Sequence, residues 1–245
     1  MARPEGEGAG WPAGVERIVL PECASTMAEA RRIADGREGP FWVLAHRQTS
    51  GRGRRGRSWL MPEGNFAATG VFEAPPAEAP LRSFVAAVAL RDALEGVRGQ
   101  AGLSLKWPND VLLGGRKLAG ILLEGLPGGR VAVGVGVNLA AAPPSDALPE
   151  GALPAVALDR PCTPEGFLDR LAPAFARWEG ALRAGGFAEV RAEWMRHAAR
   201  LGERVAVRLP RGVVEGRMEG IAPDGALVLA TVTGERRVSA GDVLP

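Results

Sequence analysis

The chain is 245 residues long, 46% hydrophobic and 24% charged, with 30 basic against 28 acidic side chains and a net charge of +2. A chain of this length can bury roughly 70–75% of the surface it exposes when unfolded, enough for one or two domains with real cores. The balanced charge excludes a polycation that coats nucleic acid, and with only two histidines, His46 and His197, neither a multi-histidine metal site nor a histidine-centred triad is expected.

No apolar leader opens the sequence and no run is long enough to span a bilayer, so a soluble cytoplasmic protein with no membrane partner is expected. Residues 1–14, rich in Gly, Pro and Glu, read as a loose tail. A short strand is predicted over 15–20, then a helix through 27–36 that Ser25 and Thr26 would cap and Gly36 would end. Residues 41–48 (FWVLAHRQ) read as a strand, 51–57 as a loop, 66–73 (FAATGVFE) as a strand and 75–80 as a turn. Apolar residues at helical spacing predict a helix over 83–97. Three strands should follow: LSLKW and VLL around Pro108, then 118–124, then 131–139. Gly114-Gly115 and 127–129 supply the hairpin signals. A Pro-rich connector covers 143–161, and two helices, about 164–183 and 187–199, close a first domain of 15–199 with Trp178 and Trp194 as packing residues. From Leu201 apolar and polar residues alternate, with turns at Arg211-Gly212, Asp224-Gly225 and Gly234-Glu235. This pattern reads as a small five-strand, barrel-type module over 200–245.

Composition singles out a few polar residues. Of the 30 basic residues 28 are arginine, and only Lys106 and Lys117 are lysine. Asn65, Asn109 and Asn138 are the only asparagines, Gln48 and Gln100 the only glutamines, and tyrosine is absent. Cys23 and Cys162 lie far apart and read as buried small apolar residues, and neither histidine carries a partner signal.

GRGRRGR (51–57) matches GxGxxG letter for letter, but Pro62 follows too soon for the helix that a dinucleotide site or P-loop requires. What the loop offers is glycine backbone that a ligand can approach and arginine forks for phosphate or carboxylate. Four arginines in seven residues repel one another, so the loop is expected to stay mobile until an anion arrives; the bland alternative is a solvated basic loop. In LSLKWPNDVLLGGRKLAGILLE (103–124) both lysines of the chain fall within twelve positions, which points to a site needing a compact ammonium.

GRGRRGRSW followed by KWPNDV, GRKLAGILLE and GVGVNL resembles the biotin–protein ligase family, in the expected order from Ser25 to Asn138. The resemblance implies an α+β fold: a mixed sheet with flanking helices, like class II aminoacyl-tRNA synthetases and biotin/lipoate ligases, plus a small C-terminal SH3-like β-barrel. It implies activation of biotin with ATP and Mg²⁺ to biotinyl-5′-AMP and pyrophosphate. Biotin then passes to one lysine of a biotin carboxyl carrier domain, as in acetyl-CoA carboxylase. Ser25, Thr26 and Met27 match a segment lining the biotin site, Met27 standing where asparagine is usual. Gln48, Gly51 and the Arg52-Gly53-Arg54 segment match biotin-site residues. Lys117 matches the lysine touching the biotin carboxylate and the α-phosphate, with Gly120 at its border. Arg54, Arg57, Trp59, Asn65, Asn109, Lys117 and Asn138 fall in nucleotide-contacting segments, Trp59 as the adenine-stacking residue. Magnesium would be held mainly by the ATP phosphates, and a homodimer is open.

Elementary chemistry agrees with that implication. A carboxylate and a triphosphate are both anions, and an Arg–Gly loop with a fixed Lys117 ammonium would neutralise charge building at the α-phosphorus, which makes Lys117 and Arg54 candidate catalytic residues. Asp110 is the nearest candidate to orient or deprotonate the acceptor amine, or else it forms an Asx-type turn after Pro108-Asn109. A lipoate–protein ligase would lack the GRGRRG loop, and a DNA-binding biotin-sensing repressor would carry an N-terminal helix-turn-helix where only 1–14 stand here. A ligase without a nucleic-acid partner is therefore expected.

Overall fold

A computed structural model describes residues 10–98, 102–149, 151–159 and 162–244. β1 (Glu16–Leu20), α1 (Thr26–Ala34) and β2 (Phe41–Ala45) form a β-α-β unit whose strands pair in parallel. The predicted strand over 41–48 stops at Ala45, where the chain turns off and His46 N–H donates to Leu20 O. All five residues of β2 are buried, as both of its faces are covered. Phe41 and Val43 pack under α1, while Trp42 and Leu44 point into the larger core on the opposite face. Ser25 occupies the N-cap position of α1 without a capping side-chain bond.

β3 (Phe66–Glu73) pairs antiparallel with β2, and α2 (Arg82–Arg98) follows. The three strands predicted next are four: β4 (Leu103–Lys106), β5 (Asp110–Leu113), β6 (Arg116–Leu126) and β7 (Arg130–Val137). LSLK and DVLL are not one strand bent around Pro108. A turn containing a cis Trp107–Pro108 peptide reverses the chain and sets Lys106 opposite Asp110. The glycine hairpins at 114–115 and 127–129 form as predicted, with positive φ at Gly114, Gly115, Gly128 and Gly129. The seven-stranded sheet runs β1-β2-β3-β7-β6-β5-β4.

α3 (Pro164–Gly185), capped by Thr163 Oγ1 on Gly166 N–H at 3.1 Å, and α4 (Phe187–Arg196) complete the helical layer with α2. Trp178 and Trp194 are buried there. A second sheet contains β8 (Arg204–Leu209), β9 (Gly212–Ile221), β10 (Leu227–Thr231), β11 (Gly234–Val238) and β12 (Asp242–Val243), in the order β11-β10-β9-β8-β12. This small antiparallel unit shares one continuous core with the first sheet: Met218, Ile221 and Leu229 belong to the same apolar cluster as Phe84, Phe187 and Trp194.

Other sequence expectations shift. Cys23 and Cys162 are half-buried thiols rather than core residues. Both histidines have carboxylate partners, His46 with Glu165 at 2.9 Å and His197 with Glu193 at 3.1 Å. Residues 1–9 of the expected tail lie outside the described residues. Trp11, by contrast, packs against the core and donates its indole N–H to Val15 O. Among the described residues no helix is long and apolar enough to cross a membrane.

Candidate active site

A cavity of about 460 Å³ opens on the α1 face of the sheet. Strand alternation puts Ala67 and Thr69 of β3, Gly134 and Gly136 of β7, and Gly120 and Leu122 of β6 on its floor, in two aligned rows. The glycines matter because backbone itself is the contact surface. A Cβ on Gly136 would stand 2.3 Å from the indole of Trp59, and one on Gly120 would stand 3.1 Å from it. One on Gly134 would meet the Met27 methyl at 2.9 Å. Trp59 therefore lies on a strip of bare backbone, and the Met27 methyl covers the same strip at Gly134.

One end of the cavity is neutral and polar. Thr26 donates from its backbone N–H (2.8 Å) and hydroxyl (3.1 Å) to Gln48 Oε1, and the Thr69 hydroxyl donates to Thr26 Oγ1 at 2.9 Å. Ser25 is buried beside them on the cavity wall. Gln48 thus has its oxygen fixed by protein and its amide N–H groups left for a ligand.

The other end is charged. Lys117 Nζ lies 2.7 Å from Asp110 Oδ1 on the neighbouring strand, its stem passing over Gly120. Lys106, facing Asp110 from β4, is buried and donates to Val243 O at 2.6 Å. Burial holds its pKa below the ordinary lysine value; Asp110 opposes that shift and Lys117 adds to it. Arg54 donates to Asn109 Oδ1 and to Asp242 Oδ1, each at 3.0 Å, and burial lowers its pKa too. Asn109 Nδ2 donates to Ile121 O, which ties the Arg54 contact to β6. Asn138 lines the cavity and donates to Val156 O at 3.0 Å, and its buried Oδ1 has no protein partner.

Of the predicted site residues, Ser25, Thr26, Met27, Gln48, Arg52, Gly53, Arg54, Arg57, Trp59, Asn109, Asp110, Lys117, Gly120 and Asn138 line this one cavity. Gly51 and Asn65 do not. A Cβ on Gly51 would sit 2.5 Å from Trp59 O, so that glycine lets the loop close on itself. Asn65 is fully buried and spends both ends of its amide on the backbone of Ala140 and Ala141. It fixes the chain after β7 from a position off the cavity wall.

Residues 22–139 match the Biotin/lipoate A/B protein ligase family, and residues 201–244 match the Biotin protein ligase C terminal domain. A Paracoccus denitrificans protein named biotin–[acetyl-CoA-carboxylase] ligase is 48% identical over 236 residues, covering 92% of this chain and 98% of its own. The chain belongs to the biotin–protein ligase family. A Mycobacterium tuberculosis protein of the same name is 33% identical over 98% of this chain and 91% of its own. The solved structure of the Aquifex aeolicus biotin protein ligase in complex with biotin and ATP superposes with a TM-score of 0.78 at 26% identity, covering 93% of this chain and 97% of that one.

Three parts of this ligase cavity escaped the sequence reading. Thr69 is the one uncharged polar side chain in FAATGVFE, in phase with Ala67, and that phase was a usable signal. The connector supplies Leu148, Leu153 and Ala155 to the wall, held where Lys117 N–H donates to Pro154 O and Val156 N–H donates to Lys117 O. The C-terminal unit supplies Arg208, Asp242, Val243 and Leu244. Asp242 also gives the arginine loop an anion from within the chain: its carboxylate contacts Arg54, Arg55 and Arg57 at 2.8 to 3.0 Å.

Proposed function

We propose that this ligase joins biotin and ATP to biotinyl-5′-AMP with release of pyrophosphate, then transfers biotin to a lysine of a biotin carboxyl carrier domain. The observation that carries the reading is the polarity of the cavity: a neutral hydrogen-bonding end at Thr26 and Gln48, a glycine strip, and a cationic end at Lys117 and Arg54. A bicyclic urea with an apolar chain and a terminal carboxylate fits that order.

A biotin carboxylate oxygen attacks the α-phosphorus, and the bond to pyrophosphate breaks. Lys117 and the loop arginines neutralise the oxygens on which charge gathers. Trp59 and Asn138 are assigned to the nucleotide, a ring for its base and an amide for one of its polar groups. In the second step the carrier amine attacks the acyl carbon and AMP leaves; Asp110, beside Lys117, orients that amine and takes its proton. Free lysine has a pKa of about 10.4, so the amine needs such an acceptor. Among the described residues no cluster of three metal-binding side chains occurs, and the cavity carboxylates Asp110 and Asp242 are already paired with cations. Magnesium accordingly belongs to the proposal as the counter-ion of the triphosphate.

The test is incubation with biotin, Mg-ATP and a biotin carboxyl carrier domain, followed by intact-mass measurement. One biotin increment on the carrier is expected; no increment, with lipoate accepted in its place, would overturn the reading. Sedimentation equilibrium on the same sample decides the homodimer.

A further inference from the structure

Asp242 opens the two-residue strand β12, where it is paired with Arg208 of β8. Its Oδ1 lies 3.0 Å from Arg54, and its Oδ2 lies 2.8 Å from Arg55 and 3.0 Å from Arg57. Arg54 makes a further bond to Gly241 O at 3.3 Å. Three guanidiniums thus converge on one carboxylate at the cavity rim, an arrangement that otherwise marks a bound anion. The strand bearing that carboxylate is itself anchored, by Lys106 on Val243 O and by Leu244 N–H on Ala206 O. Between its two ends the loop closes through Gly53 N–H on Arg57 O at 2.7 Å, with Arg55 in the left-handed region at φ 56°. Like charges in that short turn would drive it open if nothing offset them.

We infer that Asp242 is a positioning residue of the ligase: its carboxylate holds Arg54 and Arg57 over the cavity before ATP arrives, so the C-terminal unit sets the affinity for the triphosphate. This rests on the proposed reading of the cavity as the adenylation site. Without Asp242 the ordering of the loop must be drawn from the binding of ATP itself, and affinity falls accordingly.

Two measurements on Asp242→Asn and Asp242→Glu test this. The first is limited trypsin cleavage without ligands, which cuts after arginine and reads loop exposure at 52–57. Asp242→Asn is expected to be cut there about tenfold faster than the unaltered chain, and Asp242→Glu to stay close to it. The second is biotin-dependent ATP–pyrophosphate exchange, in which Asp242→Asn should raise KM for ATP about tenfold, with a smaller effect on kcat and recovery in Asp242→Glu. Unchanged cleavage, or faster cleavage with an unchanged KM for ATP, overturns the inference. If Asp242→Asn lowers the melting temperature sharply, Arg55→Gln, which removes the exposed contact from the loop side, takes its place with the same two readouts. Absence of exchange activity in the unaltered chain would instead refute the ligase reading, while the cleavage comparison would still decide the role of Asp242.

Discussion

Lys117 reaches Asp110 across 2.7 Å, and its stem runs within 3.3 Å of where a Cβ on Gly120 would stand. A longer, planar guanidinium cannot keep that path and the same point of charge. Lys117→Arg is expected to slow biotinyl-5′-AMP formation by about 10²–10³, the usual cost of losing one preorganised donor to the transition state. Pyrophosphate exchange measures it, and full activity in the variant would show that any cation serves. Asn65 shows the limit of the same reasoning. It is as scarce as Asn109 and Asn138, yet its amide is consumed by Ala140 and Ala141. In an Asn-poor chain, scarcity marks a place where a polar group is indispensable, and an internal backbone clamp is as demanding as a ligand.

At the level of strands, the β6–β7 pair sets Gly120 opposite Gly136 and presents a smooth surface to Trp59. Gly136→Ala would put a methyl carbon 2.3 Å from the indole, and β7 is too firmly paired on both sides to yield, so the ring must lift away. The variant is expected to keep its far-UV circular dichroism and lose at least about tenfold in adenylate formation, equivalent to roughly 1.4 kcal/mol. An unaffected rate would mean that the ring position seen here is immaterial to catalysis. Elements governed by neighbouring residues were legible in the sequence: the Gly114-Gly115 hairpin, FAATGVFE as β3, and the helix begun near Arg82. The reversal at Trp107-Pro108 was not, because LSLKW and VLL are both apolar and periodicity cannot say that one strand ends and its partner begins. The site was legible wherever its residues sit in one motif. Asp242 is 185 residues from Arg57, and no local pattern announces which carboxylate will meet an arginine loop.

Across the whole molecule, Arg82 at the start of α2 is 1% exposed and forks onto Glu179 of α3 at 2.7 and 3.1 Å, tying together two helices behind the sheet. Glu179→Ala strands a buried guanidinium that Glu78 covers only partly. It should cost about 3–5 kcal/mol in chemical denaturation, whereas a surface pair such as Arg47–Glu22 should cost less than about 1 kcal/mol. A denaturation loss near zero for Glu179→Ala would mean water reaches Arg82. The fate of the two lysines has a different kind of consequence. A mixed anhydride of biotin and AMP acylates accessible amines, and the protein that makes it is the first surface it meets. Here one lysine amine is sequestered beneath the second sheet on Val243 O, and the other is bound to Asp110 inside the reaction chamber. Elsewhere positive charge is carried by guanidinium, which stays protonated and does not attack acyl groups. An intermediate that escapes the chamber therefore meets no further lysine on this chain, and is left for water or for a partner's lysine.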